Sequence, residues 1–192
     1  NGGVRDYTEF QSQLLERWLS TDEVINQFLV HYKTGVRIPQ DLVMKIKKAS
    51  TFNQGFRTTE YLASALMDMK LHLANPEGID INSFEKETLE ELKMPTELPM
   101  RHRTPHFGHV FSGEGYATAY YGYMWADVLT ADAAEAFQEA PGGFYDKEVA
   151  NRLVKYLFEP RNSMDPEDAF RLFRGRDAKI EALMRDRGFP VK

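Results

Sequence analysis

Apolar residues recur along this chain at the three- and four-residue spacing of amphipathic helices, whereas runs of alternating β-branched residues between hairpin turns are not found. The pattern therefore predicts a mainly α fold. In the first predicted helix, Phe10, Leu14 and Trp18 form one apolar stripe. The main predicted helices cover residues 6–19, 51–74, 116–138 and 146–157.

Capping residues mark where several helices should begin and end. Ser20 is the predicted N-cap of a second helix, which should end near Gly35 because glycine favours the left-handed turn after a helix. Ser83 is predicted to cap a short polar helix. Asp165, followed by a proline and a glutamate, is a strong helix start, and Gly188 should close the last helix.

Residues 94–115 interrupt the helical pattern with prolines, glycines and histidines. A loop of this length inside a compact domain is usually functional or disordered. The chain has no internal repeat, low-complexity tract or linker-like change of composition. Residues 1–192 are therefore predicted to form a single helical unit.

Composition narrows the classes of protein to consider. The 192 residues are 42% hydrophobic and 28% charged, which is typical of a globular protein, and the net charge of -5 gives no reason to expect a nucleic-acid partner. No apolar run reaches the length of a membrane span. With no cysteine, a metal would need His, Asp or Glu ligands, and a reducing cytoplasm is compatible.

The start of the chain carries the first candidate for chemistry. Glu9 and Glu16 are seven residues apart, so on a helix they would share a face and could both point towards a metal. The alternative is a pair of surface carboxylates beside an apolar stripe, and spacing alone favours it.

Three histidines in the long loop form the second candidate. His102, His106 and His109 could gather a metal through their imidazole nitrogens. Pro105 would interrupt the helical turn that a ligand pair at 102 and 106 needs. We therefore favour the alternative, in which His102 and His106 are solvated and His109 alone is positioned by neighbouring glycines.

Tyrosines after the loop form the third candidate. On a helix, Tyr116, Tyr120 and Tyr123 would fall on one stripe. Three phenols on one stripe can donate hydrogen bonds to a carbonyl oxygen that gains negative charge, which stabilises an oxyanion. The alternative is an aromatic core stripe, and the pattern does not decide between the two.

Three segments in the same order resemble those of one enzyme family. Residues 5–13 (RDYTEFQSQ) resemble an "RDFVE-x-PSQ" stretch, and residues 107–125 resemble "FGH…GGY-x-x-x-YY-x-Y-x-W". Residues 173–176 (FRGR) resemble a closing "RG" helix junction. The chain is similar, over essentially its whole length, to the thimet oligopeptidase, oligopeptidase A and dipeptidyl carboxypeptidase family of zinc metallopeptidases.

This resemblance implies a role for particular residues. In the family, zinc is held by the two histidines of an H-E-x-x-H helix and by a glutamate of the next helix, and the match makes that glutamate Glu9. Glu16 matches a carboxylate near the metal, with a supporting role. His109, Tyr116, Tyr120 and Tyr123 match residues that bind substrate and stabilise the tetrahedral intermediate, with His109 and Tyr123 as the catalytic pair.

Two features of the sequence limit what the resemblance implies. No H-E-x-x-H occurs in the 192 residues, and the chain begins without methionine or a signal-peptide layout, which predicts a cut inside a longer polypeptide. The glycine turn 112–115 is one residue longer than the commonest family form, so the choice between endopeptidase and dipeptidyl carboxypeptidase stays open.

The resemblance as a whole predicts the C-terminal part of a zincin-like oligopeptidase catalytic domain. The parent should be a cytoplasmic zinc enzyme that hydrolyses short peptides, and this chain alone should be inactive. Expected partners are the peptide substrates and the missing N-terminal part of the polypeptide, with a homodimer of the isolated chain as a further expectation. The alternative function is a non-catalytic helical domain that binds peptides or other proteins.

Overall fold

The computed structural model describes residues 4–191, and the mainly α prediction is confirmed. Within those residues, β pairing is confined to one antiparallel bridge between Val30 and Arg37. None of the helices they form has both the length and the apolar character needed to cross a membrane. The helices in chain order are α1 (Phe10–Glu16), α2 (Asp22–Phe28), α3 (Gln40–Ala49), α4 (Gln54–Leu73), α5 (Ile81–Glu91), α6 (Gly108–Phe111), α7 (Gly122–Gln138), α8 (Lys147–Leu153), α9 (Pro166–Arg174) and α10 (Ile180–Asp186).

Shorter turns complete the helical structure. The 3-10 turns are Arg5–Tyr7, Arg17–Ser20, Thr104–His106 and Gly143–Tyr145, and a π-helix over Val154–Phe158 continues α8. The chain divides into two compact units. The first unit consists of residues 4–52 and 122–191, and the second consists of residues 53–121.

The first unit is built around α7, which packs against α1 and α10. Trp18 anchors the end of this core: its Nε1 donates to the Phe144 carbonyl at 2.9 Å, and its ring lies edge-on to Phe137 at 5.1 Å. The largest buried side chains of this core are Phe10, Leu14, Phe137, Phe170 and Phe173.

A fully buried carboxylate, Asp132 on α7, ties the C-terminal segment to this core. It accepts hydrogen bonds from the guanidinium groups of Arg174, at 2.8 Å, and Arg176, at 2.5 and 2.7 Å. The backbone N–H of Lys179 donates to it at 2.7 Å, and Arg174 also pairs with Glu139. Because α9 ends at Arg174 and α10 starts after Lys179, Asp132 fixes the connection between these two helices.

These contacts predict that the chain loses stability in acid. Burial alone would raise the pKa of Asp132, but hydrogen bonds from Arg176, Arg174 and Lys179 outweigh burial and lower it. A carboxyl whose pKa is lower in the folded state contributes stability above its unfolded pKa of about 3.9, and loses that contribution as the pH falls through the folded value. We expect the free energy of unfolding in urea to be steady between about pH 7 and 5 and to fall below about pH 4.

A control substitution separates buried from exposed carboxyls. Asp41 pairs with Lys45 on an exposed helix face, so Asp41→Asn should leave the pH profile unchanged. A free energy of unfolding that stayed constant down to about pH 3 would contradict the prediction.

In the second unit, α4 and α5 pack against each other and support the loop that follows them. Buried apolar residues on α4 and in the loop include Ala63, Met67, Met100, Phe107 and Val110. Two carboxylates, Asp68 on α4 and Glu85 on α5, are also buried, and both accept backbone N–H groups from the loop. The second unit is therefore held partly by charged hydrogen bonds.

Two predicted helix caps are wrong. Thr21, which has extended backbone, caps α2 by accepting the Val24 N–H, whereas the Ser20 hydroxyl donates to the preceding turn. Asp80 caps α5 by accepting the Ser83 N–H at 2.8 Å, so Ser83 lies inside the helix. In both cases another residue close by, Thr21 or Asp80, has the extended backbone that an N-cap needs.

The predicted end of the second helix is also wrong. α2 ends at Phe28, because the chain then turns back on itself to pair Val30 with Arg37. Gly35 has a φ of 68° and forms that turn. By contrast, the cap at Asp165 is confirmed, since its carboxylate accepts the Glu167 N–H at 2.9 Å.

Candidate functional site

Glu9 lies in the first unit, immediately before α1, where its backbone leaves the helical region. Its Oε2 accepts a hydrogen bond from the Ser12 hydroxyl at 2.9 Å, and the side chain is partly buried. The predicted continuous helix over residues 6–19 is instead a 3-10 turn, α1 and a second 3-10 turn. Glu9 is therefore presented at the N-terminal end of α1.

Gln13, one helical turn after Glu9, connects α1 to α7. Its Nε2 donates to the backbone carbonyl of Tyr123 at 3.0 Å, and α1 packs along α7. Its Oε1 is buried and has no hydrogen-bond partner among the described residues. The structure thus places Glu9 and Tyr123 in the same unit: Glu9 lies at the start of α1 and Tyr123 lies on α7, and Gln13 joins these two helices.

Glu16 is the last residue of α1 and is exposed. The neighbouring Arg17 forms a two-pronged ion pair with Asp186, which links the end of α1 to α10. A supporting role of Glu16 beside a metal stays a prediction.

The predicted tyrosine stripe is not formed, because the helix predicted over residues 116–138 begins only at Gly122. Tyr116 and Tyr120 lie in turns of the second unit, whereas Tyr123 lies in the first turn of α7 in the first unit. Thr118 has a φ of 57°, which is the left-handed region and cannot occur inside an α-helix. The spacing of the tyrosines is therefore not a helical spacing.

His109, Tyr116 and Tyr120 are nevertheless brought together within the second unit. The rings of His109 and Tyr116 are 4.3 Å apart between centroids, and those of His109 and Tyr120 are 5.7 Å apart. His109 is on the short helix α6, and a glycine turn leads from it to Tyr116. This aromatic cluster has two phenols and one imidazole, which are groups that can donate hydrogen bonds.

Tyr120 packs against further aromatic rings of the second unit. Its ring stacks on Tyr61 at 5.3 Å and meets Phe107 edge-on at 4.9 Å. Burial raises the pKa of the Tyr120 phenol above its ordinary value; Arg101 opposes this rise, and Glu60 adds to it. The hydroxyl therefore keeps its proton at neutral pH and can act as a donor.

The histidines of the loop do not gather. The His102 ring stacks on Phe107 at 5.2 Å, the exposed His106 ends a 3-10 turn, and His109 lies against Tyr116. Among residues 4–191, no three His, Asp or Glu side chains come together to hold a metal.

Asp68 and Glu85 are the residues near this cluster that sequence patterns do not indicate. Glu85 accepts the N–H and the hydroxyl of Thr104, both at 2.8 Å, and pairs with Arg103. Burial alone would raise the pKa of Glu85, but these hydrogen bonds outweigh burial and lower it. The only sequence signal for Asp68 is a charge between two methionines on an amphipathic helix.

With this geometry established, comparison with known proteins gives the family. A sequence model described as "Peptidase family M3" matches residues 3–189. The chain belongs to peptidase family M3. The family resemblance seen in the sequence motifs is thereby confirmed.

The M3 chain is similar to several curated relatives. It is 35% identical to a dipeptidyl carboxypeptidase of Escherichia coli (strain K12), over 97% of the chain and 28% of that protein. It is 33% identical to oligopeptidase A of the same organism, over 95% of the chain and 27% of that protein. It is 30% identical to saccharolysin of Saccharomyces cerevisiae, over 95% of the chain and 26% of that protein. The M3 chain thus spans little more than a quarter of these relatives.

The donor set of the M3 chain does not by itself fit a zinc ion. A catalytic zinc site in a protein has three protein ligands, and cysteine is absent from the sequence. Glu9 offers one carboxylate, but no further pair of donors joins it among residues 4–191. Any zinc bound through Glu9 needs ligands from elsewhere.

Proposed function

We propose that this chain is the C-terminal catalytic part of a zinc-dependent oligopeptidase that hydrolyses short peptides. The observation that carries the proposal is the M3 match over residues 3–189, which includes every candidate residue. The names of the relatives, dipeptidyl carboxypeptidase and oligopeptidase A, support a peptidase activity. The parent enzyme, and not this chain alone, would be active.

Within that enzyme each candidate residue has a distinct task. Glu9 supplies the third zinc ligand, and the two histidines and the catalytic glutamate of an H-E-x-x-H helix come from polypeptide outside residues 1–192. Bound zinc supplies Lewis-acid polarisation and a lower pKa for its water. Glu16 would support the metal site by orienting its surroundings.

The hydroxyls and the imidazole act on the substrate. Tyr123 would donate to the oxygen that becomes negatively charged when the peptide carbonyl is attacked, and His109 would be the second catalytic residue. Tyr116 and Tyr120 bind the peptide, and the enclosed, protonated phenol of Tyr120 suits a donor to a peptide carbonyl. The contact between His109 and Tyr116 supports a shared role for these two residues.

The rest of the polypeptide is the main proposed partner. An apolar groove in the first unit is lined by Phe28, Leu29, Val30, Val36 and Ile38, all of which except the half-buried Ile38 are exposed. Exposed apolar surface of this extent favours association, either with the missing N-terminal part or, in the isolated chain, with a second copy. We place the enzyme in the cytoplasm, with which a cysteine-free chain is compatible.

Zinc titration tests the split metal site. We expect the isolated chain to bind zinc weakly, and a chain extended upstream through an H-E-x-x-H helix to bind zinc tightly and cleave a short peptide. In the extended chain, Glu9→Gln should weaken zinc binding by more than about 100-fold, because loss of a merely supporting residue costs about 10- to 100-fold. Isothermal titration and a peptide-cleavage assay measure both effects.

Two further substitutions test whether the effect on zinc binding is specific to Glu9. Glu16→Gln should weaken zinc binding by about 10- to 100-fold, whereas Glu23→Gln, an exposed glutamate of α2, should not change it. Tight zinc binding by the isolated chain would contradict the role of Glu9 and favour the histidines of the loop. An extended chain that binds peptides without cleaving them would favour a non-catalytic binding domain.

A further inference from the structure

Asp68 is a buried carboxylate whose partners are the backbone of the tyrosine turn. The side chain, on α4, is 1% exposed. Its Oδ1 accepts the Thr118 N–H at 3.0 Å, and its Oδ2 accepts the Tyr120 N–H at 3.1 Å. The two hydrogen bonds cross 50 and 52 residues of sequence, so α4 directly holds a turn that is distant along the chain.

A second residue of α4 fixes this carboxylate. The Nδ1 of His72, one turn after Asp68, lies 2.9 Å from Oδ1 and 2.8 Å from the Asp68 carbonyl oxygen. The His72 ring in turn stacks on Phe111, with 5.4 Å between centroids and 13° between planes. Phe111 ends α6, the helix that carries His109. Through His72 and Phe111, Asp68 is therefore linked to the helix of His109 as well as to the turn of the tyrosines.

The turn itself needs such support. Thr118 is β-branched and has a φ of 57°, a conformation that such residues rarely adopt. A residue keeps a strained backbone conformation only where several surrounding contacts constrain it. A carboxylate that accepts two N–H groups, one of them from Thr118 itself, provides that constraint.

The turn also determines where the tyrosines are. The Ala119 N–H donates to the Tyr116 carbonyl at 3.0 Å, so Tyr116 and Tyr120 enter and leave the same turn. The Tyr120 carbonyl accepts from the Tyr61 hydroxyl, which is also on α4. A shift of the turn would therefore move both phenols and change the contact of Tyr116 with His109.

We propose that Asp68 is a positioning residue of the peptidase site: its carboxylate, fixed by His72, holds the Thr118 turn so that Tyr116 and Tyr120 can bind the substrate. This inference rests on the proposed function, in which those tyrosines contact the peptide. Asp68 acts through them and does not itself touch the substrate.

The test is a set of substitutions in the full-length enzyme. Asp68→Asn keeps the size of the side chain but replaces one acceptor oxygen by an NH2 group, which faces an N–H and repels it. Misplacement of a binding residue by about 1 Å can cost about 100-fold in rate, so we expect kcat/KM to fall by about 10- to 100-fold. His72→Gln should have the same effect to a smaller extent, because it leaves the carboxylate in place.

A double-substitution cycle distinguishes positioning from simple loss of stability. If Asp68 acts through the tyrosines, then Asp68→Asn should lower kcat/KM by a smaller factor in a Tyr120→Phe enzyme than in the wild-type enzyme, and the loss that remains should come from the shift of Tyr116. The inference is overturned if Asp68→Asn costs the same factor in both backgrounds, or if it lowers the melting temperature and leaves kcat/KM unchanged. An enzyme in which Tyr120→Phe has no effect would instead contradict the proposed role of Tyr120.

Hydrogen exchange tests the contact independently of activity. In Asp68→Asn, peptides that cover residues 117–121 should exchange their amide hydrogens faster, because two N–H groups lose a charged acceptor. Glu85→Gln is the matched control, since Glu85 is also a buried carboxylate of the second unit but holds Thr104. The inference is overturned if residues 117–121 exchange at an unchanged rate in Asp68→Asn, or if Glu85→Gln accelerates their exchange equally.

Discussion

Replacing Tyr123 by phenylalanine is expected to lower kcat of the full-length enzyme by about 100- to 1,000-fold, with little change in KM. The lost hydroxyl is the donor that we propose for the oxygen that gains charge during attack, and removal of one such donor costs rate in the transition state more than binding in the ground state. The backbone of Tyr123 should stay in place, because Gln13 donates to its carbonyl and not to its side chain.

Tyr145→Phe provides a matched control for that experiment. Tyr145 is also in the first unit, and its hydroxyl is hydrogen-bonded to Thr21 at 3.1 Å, away from the start of α7. The loss of that hydroxyl should leave kcat unchanged. If Tyr123→Phe raised KM at constant kcat, Tyr123 would bind substrate and transition state equally, and its catalytic role would be rejected.

The largest effect on stability is expected at Asp132. Asp132→Ala would leave the guanidinium groups of Arg174 and Arg176 without their shared carboxylate, and the Lys179 N–H without its acceptor. Removal of one partner from a buried ion pair typically costs about 3–5 kcal/mol. We expect a decrease of about 3 kcal/mol in the free energy of unfolding in urea, since Arg176 is partly exposed and regains some hydration.

Asp186→Ala tests whether the loss of stability in Asp132→Ala is caused by burial of the ion pair or by ion pairing alone. Asp186 also forms a two-pronged pair with an arginine, Arg17, in the same unit, but its side chain is 47% exposed. Pairs in contact with water contribute about 0–1 kcal/mol, so this variant should be only slightly destabilised. Similar losses in Asp132→Ala and Asp186→Ala would show that burial does not govern the effect.

Local patterns in the sequence predict most of the helices but not the turn that carries two of the candidate tyrosines. The start of α9 is predicted correctly, because its cap at Asp165 depends on a residue two positions away. The turn around Thr118 depends on Asp68, which is 50 residues earlier, so spacing alone suggests a helix. A turn that is stabilised by a carboxylate so far away in the sequence cannot be predicted from the residues of the turn alone.

The candidate site shows the same division between local and distant determinants. The family motif predicts which residues are involved. The structure places Glu9 at the start of α1 and Tyr123 on α7, and Gln13 joins these helices. His109 and Tyr116 are in contact, although only their family resemblance links them in sequence. Which carboxylates hold the loop could not be predicted, because Asp68 and Glu85 are recognisable only by their burial and by the backbone groups that they accept.

The two buried carboxylates of the second unit also determine which part of the loop can change in length. Glu85 holds the chain at Thr104 and Asp68 holds it at Thr118, so the segment between these residues is secured at both ends. A change in the length of the glycine turn 112–115 would therefore leave both attachments in place. The length of this turn can therefore vary separately from the packing beneath it.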